Sequence, residues 1–150
     1  MHLGHLHVAI VHLPIGLALA AGAADLLWLL TKRMFFKNAG LYCLAAAVII
    51  TPLALLTGES LSDDPEMFPP GTSPDLLDRV DDHSTMAYVS FGLMVAAAAV
   101  RWIWAKKSVN WLAVIYGLLM AAMVVCIGIT GDLGGKLVYG ADWFAKLFAP

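Results

Sequence analysis

The sequence predicts an all-α fold, a four-transmembrane-helix up-down-up-down bundle built from a duplicated helical hairpin, with both termini on the outer side of the membrane. Three observations predict it. The apolar residues, 61% of 150, gather in four blocks of about 20, the length of α-helix that crosses about 30 Å of hydrocarbon. The basic residues gather in two of the three connections, and the second half of the chain repeats the first.

The spans fall at roughly 8–30, 40–58, 84–105 and 111–130. A mean hydropathy of +0.80 with 13% charged residues is far from the balance of a soluble domain, so the lipid bilayer is the first partner. A net charge of −2 gives no bulk attraction to nucleic acid. The first span lacks a basic leading region and its apolar stretch is too long for a cleaved signal peptide.

The connections sort by charge. Lys32, Arg33 and Lys37 follow the first span and Lys106 and Lys107 follow the third, whereas residues 59–83 hold eight acids and one base, Arg79. The positive-inside rule then places the termini and the acidic loop outside. In that loop Pro65, Pro69, Pro70 and Gly71 break helices, and Pro74-Asp75-Leu76-Leu77-Asp78 opens a short surface helix. In the tail, 131–150, Gly131, Gly134, Gly135 and Gly140 predict a tight turn, and Trp143, Phe144, Leu147 and Phe148 an interfacial helix. Cys43 and Cys126 lie at different depths, which excludes a disulfide, and no CxxCH is present to attach a c-type haem.

Sliding the chain by 76 residues lays His7 on His83, Gly16 on Gly92, Ala20 on Ala96, Ala23 on Ala99, Asp25 on Arg101 and Trp28 on Trp104. The second and fourth spans match at a different offset, Leu56-Thr57-Gly58-Glu59 on Ile129-Thr130-Gly131-Asp132. First and third helices are diagonal neighbours in such a bundle, so equivalent residues face one another across its axis. His7 and His83 are expected to meet at the outer end. Asp25 and Arg101 are expected to form a structural ion pair at the inner end, because either charge alone is costly in a membrane. Gly16, Ala20 and Ala24 form a small-residue stripe suited to close helix packing. Pro52 is expected to kink the second helix, and Pro14 to kink the first or mark its start.

All five histidines, at positions 2, 5, 7, 12 and 83, belong to the outer half. Counted from the basic connections, His12 stands at about 30 Å, His83 at about 35 Å and His7 at about 37 Å, so the three can share a layer. Two neutral imidazoles from opposed helices are the axial ligand set of a low-spin haem b, and a four-helix bundle can hold one along its axis. The repeat favours His7 with His83 and leaves His12 as the alternative ligand or a supporting donor. His7 and His12 lie about 140° apart around an ideal helix and cannot both face the axis without a break near Pro14. Gly58 and Gly131 would admit the macrocycle edge, and Arg79 or Lys136 would pair with its propionates. A copper or zinc site on His7, His12 and His83 is the rival, and histidines that bind nothing at headgroup depth are the plain alternative.

His7-x4-His12-Leu13-Pro14, the Thr57-Gly58 pair, His83 opening the third helix and Gly134-Gly135-Lys136-Leu137-Val138-Tyr139-x-x-Asp142 together resemble a bacterial family, domain of unknown function 2231, over nearly the whole chain. Val8 replaces the proline that usually follows the first motif histidine. The resemblance implies a multi-pass protein of the bacterial inner (cytoplasmic) membrane. It also implies electron transfer, since members lie beside or are fused to cytochrome and iron–sulfur modules. The expected partners are then a periplasmic cytochrome, attracted by the net −7 of residues 59–83, or a larger respiratory or redox complex. A cofactor-free structural subunit of a membrane complex is the alternative. Transport is disfavoured by the lack of a broken-helix site, and hydrolysis by the lack of a nucleophile–base pair, a phosphate loop or paired catalytic carboxylates.

Overall fold

The computed structural model describes residues 3–107 and 109–140, and among them the only regular elements are four α-helices. Helix α1 spans Leu3–Thr31, α2 Met34–Ser62, α3 Pro74–Lys107 and α4 Asn110–Tyr139. All four are long and apolar enough to cross a membrane. At 29 to 34 residues they extend about 44–51 Å, more than the hydrocarbon thickness, so each projects beyond its apolar block.

That surplus carries the helices past the expected spans into segments expected to be loop, surface helix and turn. Helix α2 continues through Thr57 and Gly58 to Ser62. Helix α3 starts at Pro74, so the expected short surface helix is the first part of one continuous helix. Pro74 sits where a missing N–H costs nothing, and the amides of Leu76 and Leu77 return to the Ser73 carbonyl. Helix α4 runs through Gly131, Gly134 and Gly135, where a tight turn was expected, and ends at Gly140 with φ of 93°. Each helical glycine costs about 1 kcal/mol relative to alanine, and at Gly134 the close approach of α3 described below offsets it. Pro14 lies inside α1 and is buried, so it does not start the helix, and Pro52 lies inside α2. The expected interfacial tail beyond Gly140 lies outside the described residues.

The α1–α2 and α3–α4 hairpins are the tightest pairings; α2 also packs on α3, while α1 and α4 touch only lightly. His7 near the start of α1 meets Ala54 and Gly58 near the end of α2, and Asp25 meets Gly40 near the start of α2, so the two helices are antiparallel. In the second hairpin His83 meets Thr130 and Gly134, and Arg101 meets Tyr116.

Burial repeats as well. On α1 the residues Pro14, Ala18, Ala21 and Asp25 are buried, and on α3 it is Ser90, Met94, Ala97 and Arg101, each 76 further along. On α2 the buried residues are Gly40, Leu44, Ala47, Thr51 and Ala54. Their counterparts 76 further along, Tyr116, Met120, Met123, Ile127 and Thr130, are buried on α4. One offset therefore relates both helices of each hairpin, and the separate Thr-Gly match of α2 with α4 is replaced. The predicted packing stripe also changes, because Gly16 and Ala20 are exposed and only Ala24 is buried. Residues spaced by four drift about 40° per step around a helix, whereas alternating steps of four and three, as in 14, 18, 21 and 25, hold one face. Outward-facing apolar residues such as Ile49, Leu118 and Val125, 74%, 66% and 62% exposed, give the bundle a surface for lipid. Cys43 and Cys126 are free thiols.

Candidate functional site

At the end of the bundle holding the start of α1, each hairpin carries one half-buried histidine tied to its neighbouring helix. His7 Nδ1 lies 3.0 Å from the Ala54 carbonyl oxygen and 3.2 Å from Thr57 Oγ1. His83 Nδ1 lies 3.0 Å from the Thr130 carbonyl oxygen, and Thr130 is the counterpart of Ala54. A carbonyl only accepts, so Nδ1 carries the proton in both rings. The neutral imidazole then presents Nε2 as a free base.

Two glycines make room for these rings. A Cβ on Gly58 would stand 2.9 Å from His7 Cε1, and one on Gly134 would stand 3.0 Å from His83 Cε1. Gly134 is the counterpart of Gly58; Gly131 has nothing within 4 Å of its Cβ position and lies under neither ring. The sequence pattern pointed to Gly131 because it follows a threonine, whereas the 76-residue offset applied to Gly58 would have found Gly134.

His12 is exposed, and its Nδ1 bonds to the Val8 carbonyl in the preceding turn of its own helix. Helix geometry separates it from His7 as expected. Among the described residues no three His, Cys, Asp or Glu side chains gather as a metal cluster, so His7, His12 and His83 do not form one. His2 and the side chain of His5 lie outside the described residues. Arg79 is paired with Asp75 at 3.1 Å and Lys136 with Asp132 at 2.6 Å, each one turn away on the same helix.

Eighteen residues along α1 and α3, about 27 Å of helix rise, lies a second polar layer. Arg101, 1% exposed, donates from Nε and Nη2 to the two oxygens of Asp25 at 3.2 and 2.8 Å, and from Nη2 to the Lys37 carbonyl at 3.2 Å. The Tyr116 hydroxyl donates to Asp25 Oδ2. The guanidinium lies 5.3, 5.2 and 5.7 Å from the ring centres of Trp28, Trp104 and Tyr116, and the two tryptophan rings meet at 5.3 Å. Gly40 makes this possible, since a Cβ there would stand 2.6 Å from Asp25 Oδ1. Among the described residues no buried side-chain polar atom lacks a partner. Tyr116 and Gly40 are the members that sequence patterning missed. They are counterparts of one another, a large and a minimal residue at equivalent positions, and that contrast was the available signal.

Four long apolar helices, with matched polar layers toward each end, define a multi-pass integral membrane protein. The sequence profile of the family described as "Predicted membrane protein (DUF2231)" matches residues 4–143, and the chain belongs to that family. No curated protein and no solved structure matches it.

Proposed function

We propose that the chain is a membrane-bound, b-type cytochrome-like electron-transfer subunit in which His7 and His83 hold haem b between them. The observation that carries this reading is the matched pair of imidazoles. Each is oriented by an Nδ1–H bond to a backbone carbonyl of the next helix, which leaves both Nε2 atoms basic and available. Imidazoles that bind metals are held in this way, because the bond to the outer nitrogen fixes the tautomer and raises the basicity of the inner one. The donor set fits haem iron, and Gly58 and Gly134 let the rings sit close to the helix backbones. Haem would supply a one-electron couple; the protein's part is to orient two neutral imidazoles and hold them in a low-dielectric bundle.

The helices run up-down-up-down, with Lys32, Arg33, Lys37, Lys106 and Lys107 at the cytoplasmic end of a bacterial inner-membrane bundle. The histidine layer and both termini are periplasmic, and the acidic loop there offers a docking surface to a basic cytochrome or a neighbouring subunit of a redox complex. The test is the oxidised and dithionite-reduced absorption spectrum of the detergent-purified protein. A reduced-minus-oxidised haem b spectrum is expected, lost in His7→Ala and in His83→Ala and kept in His12→Ala. A colourless protein that does not take up added haem would overturn the reading, and so would a spectrum indifferent to the two axial substitutions.

A further inference from the structure

Along the seam between α2 and α3 lies an apolar cleft of about 100 Å³ lined by Leu41, Leu44, Ala45, Ala98 and Trp102. It lies toward the basic end of the bundle, near the start of α2 and the end of α3. The ring of Trp102 lines the cleft and also carries the ammonium of Lys106, 4.6 Å from its centre. Apolar wall and cationic rim therefore meet at one side chain. Lys32, Arg33, Lys37 and Lys107 occupy the same end, and its one acid, Asp25, is already bonded to Arg101 and Tyr116.

The other half of the molecule offers a comparison. Moving each lining residue by 76 positions gives Gly117, Met120, Ala121, Gly22 and Leu26 at the α4–α1 seam. There the Met120 methyl lies 3.2 Å from the Cβ position of Gly22, and Leu30 stands where Lys106 does in the other half. At the α2–α3 seam the counterparts of Met120 and Leu30 are Leu44, which lines the cleft, and Lys106, which stands at its rim.

We propose that the α2–α3 cleft is a binding site for one anionic phospholipid, its acyl chain against Leu41, Ala45, Ala98 and Trp102 and its phosphate at Lys106. Basic pockets between membrane helices at the end facing an anionic leaflet bind such headgroups, and each lysine near the surface adds about fivefold in affinity. The site does not depend on the histidine layer or on any cofactor.

The experiment reconstitutes the whole protein in phosphatidylcholine vesicles and titrates in phosphatidylglycerol with brominated acyl chains, using brominated phosphatidylcholine as the comparison. Tryptophan fluorescence is the readout. Brominated phosphatidylglycerol is expected to quench one component at lower mole fraction than brominated phosphatidylcholine. That component should disappear in Trp102→Phe, shift about fivefold in Lys106→Gln and vanish in Ala98→Leu, which fills the cleft. Lys136→Gln, at the opposite end, should leave it unchanged, and inorganic phosphate should not displace it. Equal quenching by the two lipids would overturn the proposal. So would an anionic preference that survives Ala98→Leu, which would mark diffuse surface attraction, or a cleft closed to both lipids, which would mark a protein helix as its occupant.

Discussion

The two hairpins share one backbone plan and differ in what they place on it. At the histidine layer the halves agree: His7 and His83 each bond a carbonyl on the following helix, and each ring rests on a glycine. At the other layer Trp28 and Trp104 match but the polar positions are opposites, with Asp25 against Arg101 and Gly40 against Tyr116 at equivalent positions. The core between them follows the second pattern, since Ala18 and Ala47 have the much larger Met94 and Met123 as counterparts. Complementary differences hold two halves together. A chemistry that needs two like ligands requires the halves to stay alike, as they do at the histidine layer.

Hydrophobic burial contributes little to helix association in lipid, so complementary packing and polar contacts must supply the specificity. The largest expected effect follows at the ion pair. Removing one partner leaves a buried charge unpaired, and Asp25→Leu or Arg101→Met alone is expected to destabilise the bundle by about 3–5 kcal/mol. The double variant should recover most of that loss, read as the unfolding midpoint in detergent. Exchanging the two charges should restore less than the double apolar variant, because the space beside Gly40 and the hydroxyl of Tyr116 both fit a carboxylate on α1. Full recovery on exchange would mean that the halves are interchangeable at this layer.

The histidine layer makes the opposite prediction. Gly58→Ala and Gly134→Ala each push a Cβ to 2.9 or 3.0 Å from an imidazole carbon, and overpacking of this kind costs about 1–3 kcal/mol. The two losses should be similar, and each should lower the haem content of the purified protein. A loss confined to one hairpin would show that only one of the rings is held against its glycine.

The four helices were legible because apolar blocks of span length are a strong signal, and so was the equivalence of His7 with His83 and of Asp25 with Arg101. Helix ends were not, since the hydrogen-bonded ladder continues into polar sequence wherever nothing breaks it. Acid-rich 74–82 and glycine-rich 131–135 both read as non-membrane segments, yet both extend helices. The pairing of α2 with α4 was obscured by two Thr-Gly dipeptides three residues out of true register. The orientation of a histidine ring toward a carbonyl of another helix, and a tyrosine meeting a carboxylate across the bundle, depend on tertiary approach and leave no local mark.

The smallest effect is the sharpest test of that register. If the hairpins align at 76 throughout, Gly131 is an ordinary exposed helical glycine with open space at its Cβ position, while Gly134 carries the ring of His83. Gly131→Ala should then stabilise α4 by up to about 1 kcal/mol through helix propensity, and Gly134→Ala, with the same intrinsic gain, should still be net destabilising. The difference between neighbouring glycines in one helix cancels backbone entropy and isolates the steric cost of the imidazole. Equal stabilisation by both substitutions, measured as paired unfolding midpoints, would mean that His83 does not lie on Gly134. Destabilisation by Gly131→Ala alone would return the repeat to the register of the Thr-Gly dipeptides.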